Sequence, residues 1–343
     1  MGTRLSGTGL AESLSRLALE VECVDFVQDE LEVSPEFRRV TTTVRLRGGG
    51  NTGLGEDVTY QPELHEHFPV PDVAGSWTVG SFSDALEGVS WFDREPLDHA
   101  AFDYRRWAWE SAALDLALAQ AGSTLEEMLG RAAGPLTYVV STRVTNVEPL
   151  LERYPSLRFK LDPGSEWDDA TIDRLAERRC VDTADFKGVF RGTFGQPPNP
   201  PLYRRIAEAF PDAWLEDPGL DDETDEVLRP HRERVTWDAP IHSVADAEAL
   251  PFPPHCLNVK PSRFGTVARL FDFYEWCETR GVKMYGGGQF ELGVGRLQIQ
   301  ELASLFHPEM PNDVAPGAFN AAAVPEDVAL PPLPPPRAFG TKS

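Results

Sequence analysis

Apolar and polar positions along the chain fall into two regimes. From Leu136 to Phe306, short apolar runs alternate with stretches of helical periodicity. The runs are LTYVVSTRV, LRFKLD, CVDTADFKG, AWLEDP, RVTWDAPI, CLNVKPSR and GVKMYGGG, and helical segments such as DDATIDRLAERR, PLYRRIAEAF, SVADAEAL and TVARLFDFYEWCETRG lie between them. Seven strands joined by crossovers predict a parallel sheet. So many consecutive units predict a closed (β/α) barrel rather than an open doubly wound sheet. No GxGxxG follows the first strand, which weighs against a dinucleotide fold.

The earlier part reads differently. VECVDFVQDE and RRVTTTVRLRGGGNTGLGEDVTY are β-branched strands with a Gly-rich turn that feeds a short strand at Leu54–Thr59. Phe102–Ala121 is an Ala- and Leu-rich helix stopped by Gly122. The pattern divides the chain into an α+β unit over 1–134, a barrel over 135–306, and a C-terminal segment over 307–343 with a Pro-rich tail that lies along the body or is partly disordered.

Charge narrows the partners. The 343 residues carry 55 Asp and Glu against 32 Lys and Arg, a net charge of −23. That excess disfavours nucleic acid and anionic membrane surfaces, and leaves small molecules. No apolar run reaches the roughly 20 residues that span a bilayer. Cys23, Cys180, Cys256 and Cys277 are widely spaced. They read as buried hydrophobes of a reducing, cytoplasmic protein rather than disulfide or zinc partners.

The chemistry gathers where the predicted strands end, at the face on which barrel active sites are built. The second strand ends Arg158-Phe159-Lys160, the third Asp185-Phe186-Lys187, the fourth Glu216-Asp217, the fifth Asp238 and the sixth Lys260. In an eight-stranded barrel, strands two and six face each other and strands three to five join them. Asp185, Glu216 and Asp238 then form an acidic triad between two lysines. Converging carboxylates repel unless a cation binds, and an all-oxygen set suits Mg²⁺, with Mn²⁺ as a substitute. Lys160 and Lys260 are placed to move a proton on either side of a substrate carboxylate, and Arg158, two residues from Lys160, is expected to lower its pKa.

These residues resemble the enolase superfamily, and within it the muconate-lactonising subgroup. The likeness includes GLGED around Glu56, the Ala-rich helix ending near Gly122, and GGGQFELGVG at Gly286–Gly295. It implies a (β/α)7β TIM-like barrel with an N-terminal α+β capping domain completed by the C-terminal segment. It also implies Mg²⁺ on Asp185, Glu216 and Asp238, and Arg158 and Lys160 in the place of the family's KxK pattern. Lys260 then stands as the opposing lysine. The implied activity is removal of the proton α to a carboxylate, leading to racemisation, epimerisation or cycloisomerisation. Alternatives are a lyase on the same site or an inactive metal-binding relative, and a homo-oligomer is compatible with the resemblance. One departure is Lys187, where the pattern usually has Asn; this lysine is expected to bind a second acidic group of the substrate.

Other residues complete the expectations. Glu291 points into the site or caps a helix, and Ser141 donates to substrate or backbone. His65 and His67 belong to a solvated loop. The run Gly48–Gly55 lacks the Lys-Ser/Thr of a phosphate loop; by resemblance it is a cap loop that closes over the substrate. Trp107 and Trp109 are core.

Overall fold

Three strands, β2 (Cys23–Ser34), β3 (Phe37–Gly48) and β4 (Asn51–Asp57), form an antiparallel meander in the computed structural model, which describes residues 9–189, 195–321 and 325–340. A second small sheet pairs β1 (Ala18–Val21) with β5 (Gly75–Thr78). The β3–β4 turn is Gly49-Gly50, with φ of 55° and 73°, the left-handed pair that a two-residue hairpin needs.

The helix Ala101–Ala121 lies on β4 and ends on Gly122 in the left-handed conformation. Contact is so close that a Cβ at Gly53 would sit 2.2 Å from the Ala112 carbonyl oxygen, and one at Gly55 2.1 Å from that of Ala108. The Gly-rich run is therefore a hairpin and a helix-packing surface, which replaces the expected closing loop. Trp107 and Trp109 are buried on this helix.

Beneath the helix, Arg105 is fully buried. It donates to Asp57 at 2.8 Å, to the Trp91 carbonyl at 2.8 Å and to the Leu64 carbonyl at 2.7 Å. His65 joins this network, bonded to Thr42 at 2.8 Å and the Thr59 carbonyl at 2.9 Å. The solvated-loop expectation thus holds only for His67, which is exposed. His65 is held because its loop folds against the sheet, where the ring bonds the Thr42 hydroxyl on β3 and the Thr59 carbonyl just past β4.

The parallel sheet runs in sequence order through β6 (Val140–Ser141), β7 (Phe159–Leu161), β8 (Val181–Asp185), β9 (Trp214–Glu216), β10 (Val235–Trp237), β11 (Cys256–Val259) and β12 (Lys283–Gly286). Its two edges are joined by Asn312 and Asp313, which bridge in parallel to Tyr138 and to Gly287. The Asn312 side chain fastens that seam. Its Oδ1 accepts from the Gly286 N–H at 2.6 Å and from His307 Nδ1 at 2.7 Å, and its Nδ2 donates to the Thr137 carbonyl at 2.9 Å.

Burial at the seam lowers His307 to about 4. Because the folded value lies below the ordinary 6.5, the unfolded chain takes up this proton first. Stability contributed here is complete above pH 6.5 and is lost as pH falls towards 4, by about 3 kcal/mol at most. Urea unfolding from pH 7 to 4 is expected to show this loss, and His307→Gln to flatten it.

The Pro-rich tail packs along the barrel and reaches the cap helix. Tyr138 donates to the Ala329 carbonyl at 2.7 Å, Leu333 pairs with Leu136, and the Gly340 N–H donates to Asp115 at 2.7 Å. Cys180, Cys256 and Cys277 are buried, but Cys23 is exposed at the start of β2, contrary to expectation. No helix among the described residues is long and apolar enough to cross a membrane.

Two buried side chains fix the α+β unit to the barrel. Arg39 donates to the carbonyls of Thr59 (2.7 Å) and Val58 (2.7 Å) on its own side, and of Gln289 (2.9 Å) and Phe290 (3.1 Å) on the barrel side. Glu56 accepts from the N–H groups of Leu292, Gly293 and Gly295 at 2.7–3.0 Å, at the start of the helix Val294–Phe306. A carboxylate there satisfies open N–H donors and meets the positive end of the helix dipole. Together they bring Tyr60 to the barrel mouth.

Candidate active site

Parallel pairing sets the acids side by side. Asp185 is in register with Glu216, and the Phe186 N–H donates to the Glu216 carbonyl at 2.9 Å. Beyond β9 the chain turns through Asp217, whose φ of 47° is left-handed. That turn aims the Asp217 carboxylate at the end of β10, where it accepts from the N–H groups of Asp238 and Ala239, both at 2.8 Å. Asp185, Glu216 and Asp217 each offer an oxygen within 4.8 Å of the others, and all are buried. Asp238, also buried, is instead engaged by Lys260 at 2.9 Å and Arg263 at 2.7 Å.

The lysines lie on either side of these acids. Lys160 on β7 binds Glu216, lies 3.2 Å from Asp185 and 3.6 Å from Asp313. Lys260, just past β11, binds Asp238 just past β10, its one carboxylate partner among the described residues, and its stem packs where a Cβ on Gly287 would meet it at 2.7 Å. Lys187 binds Asp185 and approaches Asp162 at 3.7 Å. Tyr285 on β12 donates to Glu216.

Electrostatics follow from that pairing. Burial alone would lower Lys160, but Glu216 and Asp185 outweigh it and hold the ammonium well above the usual lysine range. Burial, and then Arg263, bring Lys260 below its usual value against the pull of Asp238. Asp238 is held far down by Arg263 and Lys260 despite its burial. Burial and the neighbouring Asp238 and Asp185 push Asp217 up to about 7.

Six carboxylates (Asp162, Asp185, Glu216, Asp217, Asp238, Asp313) thus face four cations (Lys160, Lys187, Lys260, Arg263) among the described residues. Burial and the neighbouring acids raise Glu216 as well as Asp217, so these acids resist ionising together, and a divalent cation would supply the positive charge that favours their ionised forms. The buried all-oxygen donor set fits Mg²⁺ on the same ground.

Arg158 does not act as the sequence suggested. It is about half exposed and binds Asp182 and the Arg179 carbonyl. Arg158 precedes β7, which begins at Phe159, and the extra residue of the irregular β7–β8 pairing, Asp182 between Val181 and Thr183, is the acid that holds it at the surface. Lys160 is also raised, not lowered. Glu291 turns back to the Gln289 N–H at 2.6 Å and to Arg296 at 3.3 Å. Ser141 is exposed and lines a cavity of about 170 Å³ at the barrel mouth, together with Tyr60, Phe290, Arg296 and Asp313.

Four residues of the cluster escaped the sequence reading. Arg263 returns to Asp238 through the 3₁₀ turn Pro261–Phe264, and its spacing of three from Lys260 was the available signal. Asp217 adjoins Glu216 directly. Tyr285 was hidden in an apolar strand, and Asp313 lies in a closing stave only one bridge wide on each side, too short to show a strand pattern.

The comparisons with known proteins agree with this architecture. The family described as "Domain of unknown function (DUF8230) C-terminal domain" matches residues 132–321, and its N-terminal counterpart matches residues 12–128. Among curated proteins, an N-succinylamino acid racemase of Thermus thermophilus is 26% identical over 307 residues, covering 83% of this chain and 81% of the relative. The muconate lactonizing enzyme from Pseudomonas putida superposes with a TM-score of 0.65 at 18% identity, over 94% of this chain and 96% of that one. A dipeptide epimerase from Methylococcus capsulatus, solved in complex with a Mg ion, gives 0.64 at 19% identity, over 89% and 92%. These structures share the enolase-superfamily fold with this chain.

Proposed function

Since the chain belongs to the DUF8230 family and carries the enolase-superfamily fold, we propose that it is an enzyme that removes the proton α to a carboxylate and returns it. The observation that carries this reading is the placement of lysines from β7 and β11 on either flank of acids from the three intervening strands. Mg²⁺ would be held by Asp185, Glu216 and, as the resemblance implies, Asp238, in place of Asp217, which converges with the first two but already accepts from two backbone N–H groups; when bound it supplies positive charge against the substrate carboxylate, which makes the neighbouring C–H more acidic.

The protein's own groups do the rest. Asp217 fixes the β10 backbone, and Arg263 orients the Asp238 carboxylate. Lys160 and Lys260 each hold or move a proton at the α-carbon on their own face. Return of the proton to the opposite face gives racemisation or epimerisation, the outcome that two flanking lysines favour over elimination. Tyr60, carried by the α+β unit, helps exclude water. The test is loss of the α-proton NMR signal in D₂O across a panel of N-acylamino acids, dipeptides and other carboxylates, with Mg²⁺ or with EDTA. Exchange that depends on Mg²⁺ supports the reading, and no exchange on any member contradicts it.

Lys187 is the feature that sets this site apart. Its ammonium sits on a proposed metal ligand and opposes a second cation there. Removing one such charge at contact distance is worth at least about 1.4 kcal/mol. Lys187→Asn is therefore expected to raise Mg²⁺ affinity about tenfold or more by calorimetry.

A further inference from the structure

We propose that Asn258 is the positioning residue of Lys260: its amide oxygen accepts from the ammonium when that group swings from Asp238 towards the substrate. The proposal rests on the function above, since it takes Lys260 to move a proton. Asn258 stands two residues before Lys260, and the backbone is still extended at Lys260, with φ of −107° and ψ of 103°. The two side chains therefore share one face. Asn258 is buried, and both ends of its amide bond to no partner among the described residues. A buried amide that uses neither its donor nor its acceptor is costly, and native cores hold few of them.

Gly287 shows what the amide is kept for. Val259 pairs with Gly286, and the Gly287 N–H donates to the Val259 carbonyl at 3.2 Å, which lays Gly287 beside Lys260. A Cβ at Gly287 would lie 2.6 Å from Asn258 Oδ1, 3.1 Å from its Nδ2 and 2.7 Å from Lys260 Cε. Amide and lysine stem thus meet at one point of β12 that carries no side chain. The ammonium has three donors and, among the described residues, one carboxylate partner, Asp238 at 2.9 Å. Donors remain for the amide oxygen. Tyr285, the register partner of Asn258 on β12, already holds Glu216 by a bond of the same kind. A bond unmade at rest is what an acceptor reserved for a moving lysine requires.

The test compares the native full chain with Asn258→Leu, which keeps the volume and removes the amide, and Gly287→Ala, which crowds amide and lysine from the neighbouring strand. The sequence has five lysines, so NMR of protein labelled at the lysine ε-carbon resolves Lys260, assigned with Lys260→Arg. Both variants are expected to shift that signal and to leave the exposed Lys283 in place. The unfolding midpoint of Asn258→Leu should not fall, because no bond is lost. In D₂O, on whichever member of the carboxylate panel exchanges, both variants should slow wash-in from the isomer that Lys260→Ala stops. The loss is expected in kcat, with KM unchanged, at about ten- to a hundredfold, the scale of a displaced reacting group, while the other isomer stays within about twofold. An unmoved Lys260 signal, no slowing, or equal slowing of both isomers overturns the positioning role and leaves the proposed chemistry standing. Exchange of no panel member by the native chain overturns the chemistry and the role together.

Discussion

Lys160→Ala is expected to stop deuterium wash-in from one stereoisomer of the substrate, and Lys260→Ala from the other. The two lysines touch different carboxylates, Lys160 those of β8 and β9 and Lys260 that of β10, so each serves one side of whatever lies between. Loss of a positioned proton-transfer group costs about 10²–10⁴-fold, and the affected isomer should lose at least that much in kcat. Lys160 also neutralises Glu216 and Asp185, so Lys160→Ala has a further consequence. It leaves those acids closer to one another's charge, and it should tighten Mg²⁺ binding while activity falls. A merely structural lysine would lower stability and slow both isomers equally. Unchanged exchange in both variants would remove the assignment.

The second large effect concerns the support of the site. Asp57→Ala is expected to destabilise the protein by about 3–5 kcal/mol, because it strands the guanidinium of Arg105 with no exposure to water. Asp57 is held below the usual carboxylate range despite its burial, chiefly by Arg105 and His65. The double variant Asp57→Leu/Arg105→Met should recover most of the loss, since removing both charges leaves none unpaired. Urea denaturation of the four proteins gives the cycle. This network lies next to Val58, Thr59 and Tyr60, the stretch that Arg39 clamps to the barrel. Asp57→Ala should therefore also raise KM, as Tyr60 loses its place at the mouth.

Much of the architecture was legible because parallel strands buried on both faces are short apolar runs, and each of the seven is bracketed by helical periodicity. The acids and lysines were legible for a related reason: a strand's last residues point to the barrel mouth. What lay hidden has a common cause. Arg263, Asp217 and Asp313 act across turns or through single bridges, where no period marks them. Arg158 misled because an extra residue in β8, Asp182, gives it a surface partner, and such a bulge is invisible in sequence. His65 looked like a loop residue, since nothing local reveals that the loop folds against a sheet to meet Thr42. The Gly-rich hairpin looked mobile, although its glycines answer the close approach of a helix 50 to 60 positions later.

Titration of Mg²⁺ into the protein and into Glu216→Gln tests the central claim most directly, because Glu216 lies in the middle of the three proposed ligand strands and contacts both Lys160 and Tyr285. One equivalent of Mg²⁺ should bind the native chain, and Glu216→Gln should weaken that binding at least a hundredfold with the fold retained. No binding to the native chain, or equal binding to both, would contradict a dication seated among these acids.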